Sequence, residues 1–192
     1  MRSPGYINSY IILPSTIYSI AVGPLFSAGV SNPYSIQVPA LIRASLDRKR
    51  AGMVGEGKNL WPNVDILELA DLYSILYDTI INSPEKAGHG REGYYFGASG
   101  EHRLYDVSRA IGEAFVELGI SDNAEPTTFT PEEIDKYFNG SSYLGSNSRC
   151  VANRSKALGW SPKKSTPDLL KSIKPEVEAW SKKGASPKAD KL

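Results

Sequence analysis

The residues Gly52-Met53-Val54-Gly55-Glu56-Gly57-Lys58 have the spacing G-x-x-x-x-G-K, in which backbone N–H groups cradle phosphate and the lysine reaches the outer phosphates. Asn59 stands where the pattern needs a Ser or Thr for magnesium, and Trp61-Pro62 replaces the helix whose N-terminus would face the phosphates. The segment is therefore read as a glycine-rich turn leaving a strand. A G-x-G-x-x-G fingerprint opening a helix directly after a strand is not found, and neither is a tyrosine followed four positions later by lysine. In that second pair the lysine tunes a tyrosine to protonate a carbonyl or deprotonate an alcohol. No serine sits in a G-x-S-x-G elbow. His89, in Gly88-His89-Gly90, is read as part of an exposed loop, and His102 as a surface residue at a helix start. Cys150 is the single cysteine, so two histidines and one thiol cannot assemble a Cys/His zinc site or an internal disulfide. No catalytic or metal-ligating residue is assigned.

The elements that would position any site alternate between short strands and helices, which argues for an α/β fold. Tyr10-Ile11-Ile12-Leu13, ended by Pro14, has the β-prone, uninterrupted apolar character of a strand covered on both faces. Further strands are expected at Gly52–Val54, Gly93–Phe96 and Pro126–Phe129. Helical spacing runs through Pro33–Arg50, with Pro39 near the first turn. It returns in Asp65–Asn82, whose stripe is Ile66, Leu69, Ala70, Tyr73, Leu76, Tyr77, Ile80 and Ile81, and in Glu101–Leu118, capped by Gly119. Thr130-Pro131-Glu132-Glu133 is a capping box with proline at the first helical position, predicting a helix to Phe138. Thr166-Pro167-Asp168 opens another, to about Lys182.

Composition narrows the class of function. With 192 residues, 41% hydrophobic and 22% charged, the chain can bury one core of ordinary domain size. A net charge of +1 excludes bulk attraction to nucleic acid or anionic membranes as the organising principle. From Arg154 onward ten Lys/Arg face four Asp/Glu, and residues 181–192 read as a Lys-rich, solvated tail. No Asp, Glu, Lys or Arg lies between Arg2 and Arg43, yet Pro14, Ser15, Thr16, Ser19, Gly23 and Pro24 break up the apolar stretch. It falls short of the roughly 20 residues a spanning helix needs. A cytoplasmic protein is expected.

Taken together and in order, several segments resemble a known family. Ile11-Ile12-Leu13-Pro14-Ser15-Thr16-Ile17-Tyr18 followed by Gly23-Pro24 is similar to the P-x-x-I-Y-G … G-P segment of extended short-chain dehydrogenases/reductases, the NAD-dependent epimerase/dehydratase family. Val38-Pro39-Ala40-Leu41-Ile42, the loop Gly55–Trp61 and the box Val64–Ala70 resemble the landmarks that follow. Asn153-Arg154-Ser155-Lys156-Ala157-Leu158-Gly159-Trp160-Ser161-Pro162 resembles the family's ending. The likeness runs from about Tyr10 to Trp180. It departs at Ser19, where the family has Gly, at Asp65, where it has His, and at Asn153, where it has Asp.

The resemblance implies a partial Rossmann-like sheet plus a small α/β substrate-binding region, corresponding to the C-terminal half of the family (residues 1–180). It implies NAD or NADP as cofactor, with Pro14, Ser15, Thr16 and Ile17 lining the nicotinamide end. Tyr18 and Ser35 would border the substrate, Asn59 and Trp61 would lie near its distal part, and Arg149 would meet an anionic group. The family's glycine fingerprint and Tyr-x-x-x-Lys belong upstream of these landmarks. The expectation is thus a truncated oxidoreductase or epimerase-like protein that binds a small molecule, is not catalytic alone, and forms a homodimer if a full-length form exists. The alternative is a non-catalytic binding or regulatory protein on the same fold.

Overall fold

A computed structural model of the protein describes residues 7–183. In chain order its elements are β1 (Ile11–Pro14), β2 (Thr16–Tyr18), α1 (Pro24–Ser27), α2 (Gln37–Asp47), β3 (Gly52–Met53), β4 (Leu60–Asp65) and α3 (Ile66–Asn82). There follow β5 (Tyr94–Gly97), β6 (Gly100–Arg103), α4 (Leu104–Glu117), β7 (Thr127–Thr128), α5 (Pro131–Phe138), α6 (Asn153–Ala157) and α7 (Thr166–Lys183).

The first two strands are one extended run that changes partners at Ser15. Before it, β1 lies parallel to β5; after it, β2 lies parallel to β4, whose other edge takes β6 antiparallel. β3 and β7 form a separate parallel pair. This is the expected α/β architecture, a partial sheet joined to a smaller α/β region. Three of its strands depart from expectation. Thr16–Tyr18 continues as a strand beyond Pro14, Leu60–Asp65 is a strand despite Pro62, and Gly100–Arg103 is a strand in place of a helix start, so α4 begins only at Leu104.

The capping residues act as their chemistry dictates. The Asp65 carboxylate accepts from the Leu67 and Glu68 N–H groups and starts α3, while Thr130 and Glu133 form the reciprocal capping box of α5. Gly119 follows α4 with a left-handed φ of 68°, a conformation that L side chains rarely adopt.

One apolar core lies between α2, α4 and α7, built on Tyr18, Leu41, Ile42, Phe115, Leu169 and Ile173. Each such side chain contributes about 1.5–3 kcal/mol on full burial. A second cluster gathers Val64, Leu69, Leu72 and Trp160. The arc of α3 that packs is narrower than its apolar stripe: Leu69, Leu72 and Leu76 are buried, whereas Tyr73, Tyr77 and Ile81 face outward. β1 is likewise not covered on both faces. It pairs only with β5, and Ile11 remains 39% exposed because no layer of the described residues lies over it. α7 continues to Lys183, and the remainder of the predicted tail lies outside the described residues.

Candidate functional site

Beyond the carboxyl end of β1, where parallel α/β sheets bind ligands, the chain places Thr16 against β4, β6, α2 and the loop 142–147. These segments enclose a small cavity of about 20 Å³, room for about one water molecule, that opens to solvent. Its polar wall is Thr16, Gln37, Asn59, Trp61 and His102. The apolar wall is Val38, Leu41, Leu104, Val107 and Leu144.

Local hydrogen bonds explain why these groups hold their places. Asn59 donates through Nδ2 to the carbonyls of Leu144 (2.8 Å) and Ser146 (3.0 Å), and the Trp61 indole N–H donates to Ser146 O (2.5 Å). The Leu60 N–H donates to Asn147 Oδ1, and the Tyr143 ring meets Trp61 edge-on with centroids 5.9 Å apart. Asn59 and Trp61 thus pin the loop 142–147 onto β4 as well as line the cavity. The glycine-rich turn before them keeps no phosphate-loop geometry. Gly55 and Gly57 have φ values of 61° and 66°, Lys58 pairs with Glu56 in solvent, and a strand follows instead of a helix. At Gly57 a Cβ would come within 2.9 Å of the Tyr105 N atom, whose N–H donates to Gly57 O, so only glycine fits there.

His102, expected on the surface, is 6% exposed and lies in this wall. It faces Trp61 across the β4–β6 pairing. Its Nδ1 accepts from the Asn63 amide (3.3 Å), whose other hydrogen goes to Thr166 Oγ1 (3.0 Å). The ring is therefore a neutral tautomer with its proton on Nε2, and the residue lines the cavity. Burial lowers its pKa to about 4, with the Asp106 carboxylate offsetting only part of the effect. Thr16, 4% exposed, lines the same cavity. One signal in the sequence points to His102: in Gly-Glu-His-Arg the histidine alone has an inward position, between exposed Glu101 and Arg103.

The other residues singled out by resemblance are placed elsewhere. Pro14 ends β1, and Ser15 is tied to Gly97 O through both its N–H (3.1 Å) and its hydroxyl (2.7 Å). Ile17 packs into the second apolar cluster. Tyr18 is wholly buried in the main core and donates to Ser165 O (3.3 Å); burial, then the Asp65, Asp168 and Glu68 charges, pushes its pKa well above the phenol value. It has no face open to a substrate. The Ser35 hydroxyl is buried without a partner, outside this cavity. Arg149 forms a two-pronged pair with Glu101 (2.8 and 2.7 Å) in solvent and does not line the cavity.

Beside the cavity, Asp65 is fully buried. Burial alone would raise its pKa, but hydrogen bonds from Lys164 Nζ (2.7 Å), Ser19 Oγ (2.8 Å) and the Leu67 N–H hold it below the usual carboxylate value. Where the family has His, this chain has a carboxylate that caps a helix and anchors Ser19 in a left-handed conformation. Among the described residues no group of three or more His, Cys, Asp or Glu could hold a metal ion. No helix among them is long and apolar enough to cross a membrane.

The architecture defines the class: the chain has the fold of NAD-dependent epimerases and extended short-chain dehydrogenases/reductases. It is similar to PbgP3 from Burkholderia pseudomallei (TM-score 0.62, 12% identity, covering 95% of this chain and 49% of that one). It is similar also to the UDP-glucose 4-epimerase of Thermotoga maritima solved with UDP-glucose (0.55, 15% identity, covering 92% and 47%). A third is the human epimerase family protein SDR39U1 with NADPH (0.51, 15% identity, covering 93% and 52%). In sequence it is 25% identical over 187 residues to "Oxidase ucsJ" of Acremonium sp, covering 93% of this chain and 51% of that protein. The chain thus spans about half the length of the proteins it matches. No family model matches it.

The residues present fit only part of a dinucleotide site. Gly88, Gly90 and Gly93 have the spacing G-x-G-x-x-G, but they form a short 3₁₀ turn that leads into β5, with no helix N-terminus for a pyrophosphate. Thr16, which opens β2, is the one member of the expected nicotinamide-end group that lines the cavity.

Proposed function

We propose that the chain is the substrate-binding half of an NAD(P)-dependent oxidoreductase or epimerase-like protein and does not transfer hydride by itself. The observation that carries this reading is the cavity at the carboxyl end of β1. It joins Thr16 to Asn59 and Trp61, residues 43 and more positions apart in sequence, in a fold whose solved examples include NADPH- and UDP-glucose-bound proteins. NAD or NADP, when bound, supplies the hydride; this chain's residues bind and orient the organic substrate beside it. Neither an acid/base tyrosine with its lysine nor a glycine fingerprint opening a helix occurs in these 192 residues, so those groups come from outside them. The uncovered β1–β5 surface, with Ile11 and Tyr94 exposed, agrees with a sheet that continues elsewhere. A cytoplasmic setting and a small molecule, not nucleic acid, as ligand complete the proposal.

The test is a titration of the ¹⁵N-labelled chain with nicotinamide mononucleotide and NADPH, followed by an assay of NADPH oxidation with carbonyl compounds. The reading expects amide shifts confined to Ser15–Ile17 and no turnover. Turnover by the chain alone, or shifts only at distant residues, would contradict it.

A further inference from the structure

α3 lies across the β1–β5 pair: Leu72 and Leu76 cluster with Ile12, Phe96 and Tyr95, and a Cβ on Gly97 would meet Leu69 at 2.8 Å. One flank of the helix is covered. Trp160 donates its indole N–H to Glu68 O and packs with Ile75, and α6 just before it reaches the far edge of β5, where Ser155 Oγ donates to Phe96 O. The opposite flank, on the β1 side, is bare among the described residues. Ala70, Tyr73, Tyr77 and Ile81 recur at helical spacing and share one stripe, on which Tyr73, Tyr77 and Ile81 are 52, 65 and 62% exposed. The strand beneath is open on the same side. Ile11 and Ser15 donate their N–H groups to Gly93 O and Gly97 O, so the alternation of the ladder turns the Tyr10 and Ile12 backbone groups away from β5, where no described strand pairs with them. Edge strands are ordinarily guarded by lysines, bulges or inward charges. β1 has only Pro14, at its end, and no charged residue lies between Arg2 and Arg43.

We propose that two copies of this chain pair side by side about a two-fold axis normal to the sheet, β1 against β1 antiparallel and the Tyr73–Tyr77–Ile81 stripe of one α3 against that of the other. Rotation about such an axis keeps α3 on the same face of the sheet, so the open strand edge and the bare helix flank are closed together. Paired strands lie about 4.8 Å apart and α3 straddles β1 and β5, which puts the two helix axes about 10 Å apart, a packing distance for helices. Centred on Ile12, the pairing exchanges both Ile12 backbone hydrogen bonds and lets each Pro14 carbonyl accept from the Tyr10 N–H of the second copy. Pro14 withholds only the outermost donor. Charge permits the contact as well: the stripe carries none, and the exposed Asp71 and Asp78, at about 100° per residue, fall on the outer face of α3 away from the seam. Tyrosines bury about 150–250 Å² each, so those of both stripes, half-buried on pairing, together with Ile81 and the strand edges hide on the order of 1,000 Å², the low end for a specific interface. The dimer is therefore reversible, in the micromolar range. It is independent of the substrate-binding reading, since none of these residues lines the cavity.

The experiment is sedimentation equilibrium of the whole chain across the micromolar range, with hydrogen exchange of the Ile12 amide read at both ends of that range. Expected is a 20.9 kDa monomer giving way to a dimer and to nothing larger, with the Ile12 amide protected only in the dimer. Tyr73→Glu combined with Tyr77→Glu removes two aromatic anchors and sets like charges across the seam, and should weaken the dimer by about a hundredfold or more. Ile81→Lys, a single change at an exposed position, should weaken it by about tenfold and carries the test if the double variant does not fold. Val151→Glu, at an exposed aliphatic residue outside this face, should leave it unchanged. A monomer at every concentration would overturn the proposal. So would a dimer that keeps its strength in the α3 variants, or one in which the Ile12 amide exchanges as fast as in the monomer. Assembly beyond the dimer would show association without closure and would overturn the two-fold arrangement.

Discussion

Glu176 lies on α7 with 1% of its surface exposed and neither carboxylate oxygen hydrogen-bonded, in contrast to Asp65, which Lys164 and Ser19 satisfy. Burial raises its pKa from 4.5 to about 7, the facing Ser19 N–H offsetting only part of the effect. Because the folded pKa exceeds the unfolded one, Glu176 contributes stability that is fully present below pH 4.5 and lost as pH rises through 7. At about 1.4 kcal/mol for each tenfold step, the loss amounts to about 3 kcal/mol. His102 has the opposite slope: its folded pKa of about 4 lies below the ordinary 6.5, so its contribution is present above 6.5 and lost as pH falls to 4. That loss is also about 3 kcal/mol. Between pH 4.5 and 6.5 the two slopes cancel, and the wild-type protein should show little dependence on pH. Glu176→Gln removes one of them. Urea unfolding from pH 4 to 8 should find the variant close to wild type at pH 4 and more stable by up to about 3 kcal/mol at pH 8. Carboxylates that titrate below pH 4.5 act alike in both proteins and drop out of the difference. A Glu176→Gln profile parallel to wild type would refute the reasoning.

Asp65→Ala removes the α3 cap and leaves Lys164 and Ser19 without their acceptor; a stability loss of about 2–4 kcal/mol by urea unfolding is expected, since caps and part-buried ion pairs are both lost. A loss below 0.5 kcal/mol would show that the carboxylate is not organising the start of that helix. Arg149→Ala should leave the urea midpoint close to wild type, because its pair with Glu101 is exposed to solvent, and a clear loss of stability would show that the pair organises the fold. Thr130→Ala should cost about 1 kcal/mol through the capping box, readable as a lowered thermal midpoint.

The helices were legible because their signals are local. Asp65 followed by apolar spacing, Thr130-Pro131-Glu132-Glu133, and Gly119 each satisfy backbone groups within a few residues, so composition and structure agree. β4 and β6 were not legible. Pro62 argues against a strand and Gly-Glu-His-Arg reads as a polar helix start; β4 extends between β2 and β6, and β6 against β4, contacts set by the tertiary fold. The cavity was half legible for the same reason. The family resemblance pointed to Thr16, Asn59 and Trp61, and the structure brings them to one wall, but His102 enters it only through the β4–β6 register. Tyr18 and Arg149 show the converse. Their residue types invite a site role, yet burial in the core and an ion pair in solvent, respectively, occupy them.

Binding of a small molecule in the pocket around Thr16, Trp61 and His102 is read most directly at a tryptophan. Of the three tryptophans, only Trp61 lines it; Trp160 is buried in the second cluster and Trp180 stacks on Tyr34. The most direct measurement is ¹⁹F NMR of the 5-fluorotryptophan-labelled chain during a titration with nicotinamide mononucleotide. The account predicts a saturable shift of the Trp61 resonance with the other two unmoved. A shift of Trp160 or Trp180 with Trp61 stationary would contradict it.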